Sequence, residues 1–528
     1  MCANKISVRK LPKGIQDFER LRREEYLYAD KTDMVWQIAN GDIYNYLSRP
    51  RRFGKSLLAS TLQCYFEGKK ELFADLKIMQ METAWTVRPV FHFDLSEGGS
   101  SNEKLIQYLS DMLVGFEKQY NITDDISFLS LGVRFRKAIE RAHEQTGQLV
   151  AILIDEYDAP LQHTLFADNE HDKCKETYRD FFAILKSANA HIFNVFITGI
   201  TKFTQLSLFS VLNNLTNLSF KPEYAAVCGL TEDEITSVFQ PEVERLGEVN
   251  GWDLKETIGH LQDMYNGYHF SRTGCAIFNP YSVIHALADG ELINYWASSG
   301  ASSLLNKVLS RSEELQEDME NFRISRNVLQ TSDVSIHNTP LFLYQTGYLT
   351  IKDYYNEQYT LGIPNKEVRE ALYEMVLPEI VRQSHDVVQA CVSRIKDALF
   401  RNDPEKIMLN LKQLVAETPY GRDRTDEKVY EARFRFILKN IFYLCGCNVR
   451  EEQQMAGGII DLVVVNSRCI LVLELKLEKN GGVIAAGKQL IDRGYAKAYC
   501  AEGLPLYEIA IEFDTRSRGL SAWKIAKY

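Results

Sequence analysis

Four short apolar runs set the frame of the first half of the chain: IYNYL (43–47), PVFHFDL (89–95), LVAILID (149–155) and HIFNVFITG (191–199). Each is strand-sized, and amphipathic stretches of helical length lie between them. Parallel neighbours need a long crossover and bury both faces, so this rhythm predicts an α/β domain with a largely parallel sheet. The ends of these runs carry chemistry. The first leads into RPRRFGKS (49–56), the third delivers Asp155 and Glu156, and the fourth brings Thr198.

A chain of 528 residues is too long for one ordinary core, so several domains are expected. The α/β domain is placed at 1–228. A mostly helical region with a winged-helix-like hairpin follows at 229–417. It opens on TEDEITSVF, where Thr231 and Glu234 fit a capping box. LFLYQTGYLTIKDYYNEQYTL reads as a hairpin-like insertion, and PNKEVREALYEMVL as a helix opening on proline. TPYGRDRTDEK (418–428) is polar and turn-rich and marks the boundary before a last α/β domain at 426–528.

Net charge is −10, which argues against coating nucleic acid by bulk attraction; the deficit lies in the first 425 residues, while the last hundred are nearly balanced. The start, MCANKISVRKLPKG, has no apolar signal region, and no apolar run reaches the length of a membrane helix. The ten cysteines show no paired metal spacing and read as reduced thiols of a cytoplasmic protein.

GKS after a strand and before a helix is the end of a phosphate cradle. Gly54 permits close backbone approach, Lys55 reaches the β/γ-phosphates, and the Ser56 hydroxyl ligates Mg²⁺. Arg49 stands where such a loop ordinarily opens with glycine. Asp155 would hold Mg²⁺ through its water shell and Glu156 would polarise the attacking water. Thr198 either senses the γ-phosphate or is a strand-end hydroxyl bonded to backbone. Arg49, Arg51 and Arg52 either neutralise charge developing on the triphosphate or form a solvated basic turn or subunit contact.

A second constellation lies in GGIIDLVVVNSRCILVLELKLEKN (457–480). Glu474 and Lys476, two apart, share a strand face while Leu473, Leu475 and Leu477 pack behind. A turn around Asn466 and Ser467 brings Asp461 alongside. Asp461 and Glu474 could then hold one Mg²⁺, with Lys476 orienting or deprotonating a water. The competing reading is a solvated face of a half-buried strand.

LPKGIQDFERLRREEYLYADKT, RPRRFGKSLL, ILIDEYDAPL, FITGITKF, VLNNLTNLSF and YNGYHF together resemble the prokaryotic AAA-ATPase-like family, and LFLYQTGYLTI and LGIPNKEVRE continue the likeness. That family's loop itself lacks the first glycine, and its members commonly end in a PD-(D/E)xK nuclease-like domain. The resemblance implies a P-loop NTPase fold followed by a restriction-endonuclease-like fold, with Ile460 at the motif's variable proline position. It also implies Glu431 as an auxiliary acid on the preceding helix, and Gln489 and Tyr495 as the motif on the following one. Relatives often carry Gly-Arg where this chain has Gly458-Ile459.

The expected function is an ATPase coupled to a metal-dependent nuclease acting on DNA rather than RNA, with ATP and Mg²⁺ as cofactors, no membrane, and homo-oligomerisation left open. The alternatives are a nucleotide-dependent switch that holds nucleic acid without cutting, and a scaffold that binds ATP without turnover.

Overall fold

The computed structural model describes residues 9–122, 125–201, 215–296, 305, 321–331, 338–416, 427–455, 458–514 and 519–528. The chain divides into two compact units, Met1–Ser298 with Glu320–Glu367, and Ser299–Met319 with Val368–Tyr528. The 418–428 stretch, up to residue 426, lies outside the described residues, as do the ends of FITGITKF and the start of VLNNLTNLSF.

The first unit is built on a five-stranded sheet in the order β2-β3-β4-β1-β5, with β1 Tyr44–Ser48, β2 Val90–Asp94, β3 Val150–Asp155, β4 Ile192–Gly199 and β5 Thr216–Asn217. Every pairing is parallel, so all carboxyl ends lie on one edge. The four apolar runs are four of these strands. β3 is buried throughout, as a central parallel strand must be. Helices Asn102–Gln119, Leu131–Thr146 and Asp168–Phe182 pack together, and Phe135 and Phe181 stack at 4.9 Å between them and the sheet residue Phe93.

Thr231 and Glu234 form both halves of the capping box of helix Glu232–Val238. Helices Gln240–Asn250, Leu254–Tyr265 and Pro280–Asp289 follow and share a core with it that includes Ile235, Val243, Leu261 and Val283. The hairpin-like insertion differs from expectation at its start. Residues Thr339–Thr346 form a helix, opened by the Asn338 side chain accepting the Leu341 N–H and closed by Gly347 at φ 93°. Only then come β7 Thr350–Tyr355 and β8 Gln358–Gly362, which join β6 Phe322–Ser325 in an antiparallel sheet ordered β6-β8-β7. The next helix, Lys366–Val381, starts two residues after Pro364.

The second unit holds helices His385–Phe400, Pro404–Val415 and Glu427–Leu444 and a five-stranded sheet ordered β13-β12-β11-β10-β9. Its strands are β9 Asn448–Met455, β10 Gly458–Val465, β11 Ile470–Leu477, β12 Leu506–Asp514 and β13 Gly519–Lys527. β11 and β12 are parallel, linked through helix Gly482–Arg493, and the other pairs are antiparallel. β10 and β11 are central, which is why VVV and ILVL are apolar without alternation. Among the described residues, no helix is long and apolar enough to cross a membrane.

Candidate functional site

In the first unit, β1 ends at Ser48 and the helix Lys55–Phe66 begins after a six-residue loop. Arg52 (φ 70°) and Gly54 (φ 91°) both take left-handed backbone. A Cβ on Gly54 would meet open space, so the demand there is conformational. For Arg52 the same conformation costs about 1 kcal/mol, and its guanidinium rests over Tyr281 at 4.3 Å. Lys55 is buried, and its Nζ donates to the carbonyls of Arg49 and Pro50, each at 3.1 Å. Ser56 lies half-buried in the first helical turn.

Arg49 is placed otherwise than a phosphate ligand would be. Its backbone N–H continues the β1–β4 ladder to Gly199 O at 3.2 Å. Its guanidinium is buried over Phe270 and donates to the carbonyls of Ser48 (2.9 Å), Ser219 (3.0 Å) and Tyr224 (2.9 Å). Burial draws its pKa down to about 10, which still leaves it charged at neutral pH. Arg51 donates to Gln162 Oε1 at 3.2 Å.

Asp155, buried at the end of β3, accepts from the Thr198 hydroxyl and from the Glu156 N–H at 3.0 Å. Thr198 is thus spent on the carboxylate, a third placement beside the two expected for it. Glu156 sits just past the strand at φ 47°, strained for a non-glycine residue. Burial raises its carboxyl above the usual range, opposed by the positive charge of Lys55 and reinforced by Asp155 and Asp158. One residue of DEYD was passed over by the sequence reading. Asp158 is buried and accepts from the N–H groups of Ile200 and Thr201 (2.6 Å for the latter), the Thr201 hydroxyl, and Gln162 Nε2 at 2.6 Å. It fixes the chain leaving β4. The available signal was a second aspartate just before the helix-starting Ala-Pro.

In the second unit, the register Leu462–Leu473 places Asp461 and Glu474 side by side on β10 and β11. Asp461 Oδ2 accepts the Leu475 N–H at 2.8 Å. The turn forms as expected, Asn466 Oδ1 accepting from the N–H groups of Arg468 and Cys469. Glu474 is 1 % exposed, with Oε1 on Lys476 Nζ at 3.1 Å and Oε2 buried without a partner among the described residues. Burial, then Asp461, pushes its carboxyl up to about 7 against the pull of Lys476. Burial alone would lower the Lys476 ammonium, but Glu474 outweighs it and the net shift is upward. A proton held that firmly suits orienting a water or stabilising charge better than accepting a proton.

Glu431, on helix Glu427–Leu444, accepts the Leu477 N–H at 3.4 Å. Gln489 donates to Tyr495 Oη at 3.5 Å, and that hydroxyl donates to Ile459 O at 2.8 Å, so both anchor the start of β10 rather than touch the carboxylates. The sequence reading missed Arg435, four residues after Glu431 and so on the same helix face. Its Nη1 lies 3.2 Å from Asp461 Oδ1, its Nε 3.0 Å from Glu451 and its Nη2 2.7 Å from Glu452. Lys439 also reaches Glu451, at 2.9 Å.

Among the described residues, no group of three or more His, Cys, Asp and Glu side chains is drawn together as a cation cage. The donors at both sites are nonetheless hard oxygens, Ser56 and Asp155 in one and Asp461 and Glu474 in the other. Glu474 Oε2, buried with no partner among the described residues, is the oxygen of this pair that a further ligand could take. Such sets fit Mg²⁺, which keeps several waters and takes one or two carboxylates.

Residues 12–209 match the family described as "Predicted AAA-ATPase", and residues 425–523 match the PD-(D/E)XK nuclease superfamily. A protein of Azotobacter chroococcum mcd 1, described as an uncharacterized protein in the vnfD 5' region, is 29% identical over 525 residues, covering 98% of both chains. The parallel sheet with its phosphate-type loop and the mixed sheet with its paired carboxylates accord with those two matches. The chain therefore joins an AAA-ATPase-like segment at 12–209 to a PD-(D/E)XK nuclease superfamily segment at 425–523.

Proposed function

We propose that the protein binds and hydrolyses ATP in its first unit and uses that cycle to control phosphodiester hydrolysis of DNA by its second. The observation that carries the nuclease half is the juxtaposition of Asp461 and Glu474 on neighbouring strands, with Lys476 on Glu474 Oε1.

At the first site, phosphate would compete with two loop carbonyls for the Lys55 ammonium, exchanging neutral acceptors for charged ones. Ser56 and Asp155 would hold Mg²⁺, Thr198 keeping the Asp155 carboxylate aimed. Glu156, its carboxyl raised towards working pH, would take the proton of the attacking water. Arg49 would set the shape of the loop rather than bind phosphate, and Arg51 and Arg52 are the exposed arginines left beside it. At the second site, Asp461 and Glu474 would hold Mg²⁺, and Lys476 and Glu431 would orient water at its edge. When bound, the ion supplies Lewis-acid stabilisation of the charge developing on the phosphate.

The test is cleavage of plasmid and single-stranded DNA with Mg²⁺ or Mn²⁺, with and without ATP, alongside phosphate release. Metal-dependent cutting lost in Asp461→Ala, with ATP turnover intact, supports the reading. One observation favours a second reading, a nucleotide-dependent switch that holds DNA uncut: both carboxylates already carry protein cations, Arg435 and Lys476. Under that reading, wild type binds DNA and leaves every substrate whole.

A further inference from the structure

Arg435 is more than a neighbour of the acidic pair. Each of its three guanidinium nitrogens meets a different carboxylate: Nη1 with Asp461, Nε with Glu451 and Nη2 with Glu452. The two groups of contacts differ in kind. Glu451 and Glu452 lie on β9, and Glu452 is 60% exposed at its side chain, so their charge is partly screened. Asp461 lies on β10 inside the centre, its side chain only 18% exposed. Both Asp461 oxygens are engaged, Oδ2 by the Leu475 N–H and Oδ1 by Arg435.

We infer that Arg435 is a latch on the second site: it occupies Asp461 in place of a divalent cation, and it yields Asp461 while staying held by Glu451 and Glu452. This rests on the reading of Asp461 and Glu474 as the metal-binding pair. A cation arriving at Asp461 must share the carboxylate with a full positive charge 3.2 Å from Oδ1, and that repulsion in a half-buried setting lowers its affinity. Release is feasible because Arg435 gives up one of three partners and is not stranded as a buried, unpaired cation. Glu451 is itself shared with Lys439, so Glu452 is the partner that most decides where the guanidinium rests. Arg435 is thus a positioning residue acting through Asp461, and it sets the divalent concentration at which the centre fills.

The test is calorimetric titration of Mn²⁺ into the full chain without nucleotide or nucleic acid. The site is identified as the binding that disappears in Asp461→Asn. Arg435→Gln should tighten that Kd by at least about fivefold, since a unit charge beside the ion is removed. Arg435→Lys keeps the charge and should bind more weakly than Arg435→Gln. Glu452→Gln, an exposed change that leaves the fold alone, should weaken Mn²⁺ binding because it sends the guanidinium onto Asp461. Arg435→Gln binding Mn²⁺ no better than wild type overturns the latch, and so does Glu452→Gln binding it more tightly. Wild type and Arg435→Gln both lacking an Asp461-dependent Mn²⁺ site overturns the metal-centre reading instead, and the two failures are thereby told apart. Should Arg435→Gln melt far below wild type, the Glu452→Gln arm alone decides.

Discussion

The two sites hold their charges in opposite ways. In the first unit, the cation and the anion are each kept by neutral groups: Lys55 by two carbonyls, Asp155 by a hydroxyl and an N–H. In the second, each carboxylate is kept by a protein cation, Asp461 by Arg435 and Glu474 by Lys476. Neutral partners cost little to displace, so the first site is ready for a ligand that brings both signs, such as a nucleotide with its Mg²⁺. The second is already neutralised from within and must exchange a charge to be filled. On the proposed function, a first site built to load and a second built to wait is the arrangement expected if the first governs the second.

The largest effects should separate the sites outright. Lys55→Ala is expected to weaken nucleotide binding at least about a hundredfold, because no neutral group replaces a charge-assisted contact to phosphate. Glu156→Gln should bind nucleotide normally and lose turnover by about 10²–10⁴-fold, the range for a general base. Asp461→Ala should cut cleavage by roughly a thousandfold and leave ATP turnover alone. Fluorescent-nucleotide binding, phosphate release and plasmid nicking on the same variants check all three. Equal turnover in Glu156→Gln and wild type would remove that residue from the mechanism.

The boundary between the sites can be tested by cutting. Helices His385–Phe400 and Pro404–Val415 lie in the second unit, where Trp523 Nε1 on β13 donates to Glu405 at 2.9 Å and Lys412 lies over the Trp523 ring. A fragment from residue 368 should therefore melt cooperatively and well above one from residue 424, which strips that cover from the sheet. Equal melting of the two by circular dichroism would instead favour a self-sufficient domain beginning near 426.

Arg49 tests whether the first site is shaped or charged by its arginines. If its guanidinium braces three carbonyls, Arg49→Met should cost about 2–4 kcal/mol of stability by leaving buried acceptors unpaired. Nucleotide affinity of the folded fraction would change little. A variant with wild-type melting and lost ATP binding would return Arg49 to the phosphates.

Much of this was legible in the sequence for a physical reason. A strand buried on both faces must be apolar, so β1, β3 and β4 announce themselves, while the edge strand β2 shows instead by alternation, Phe91 and Phe93 inward; a carboxylate closing a buried strand, as Asp155 does, has few structural excuses. Glu474 and Lys476 were legible because strand periodicity alone puts them on one face. Arg49, Asp158 and Arg435 were not. Their partners lie far away in sequence or on backbone atoms, as with Arg49 and the carbonyls of Ser219 and Tyr224, and no spacing rule encodes such contacts. The helix Thr339–Thr346 was misread as strand because its apolar run, Leu341 to Leu343, is too short to display a period.

Glu474 offers a smaller effect with a defined pH signature in metal-free protein. Its carboxyl rises from 4.5 to about 7 chiefly through burial. The folded state then holds the proton more tightly than the unfolded chain, so ionisation opposes folding. That cost is absent below about pH 4.5, grows as pH rises, and is complete above about pH 7. Glu474→Gln, with no proton to lose, should raise Tm in EDTA at pH 8, a gain worth about 1–3 kcal/mol that fades towards pH 4.5. A pH-independent gain would place its origin in packing.

The smallest expected effect is the sharpest control on the comparison. Glu478 is two residues past Lys476 and would share its face were the strand to continue, but β11 ends at Leu477 and Glu478 opens a short 3₁₀ turn, exposed to solvent. Screened by water and off the strand, its carboxylate contributes little to the field at Asp461 or to the fold. Glu478→Ala should therefore stay within about 0.5 kcal/mol of wild type in stability and within about twofold in cleavage. Lys476→Ala, which strips the ammonium from Glu474 Oε1, should bind Mn²⁺ at least as tightly as wild type and lose cleavage. Measured side by side, the pair asks whether a charged side chain near the end of β11 acts through its position in the site. If both variants lower cleavage equally, the position of Lys476 beside Glu474 is not what matters, and the contrast between a loading site and a waiting site loses its second member.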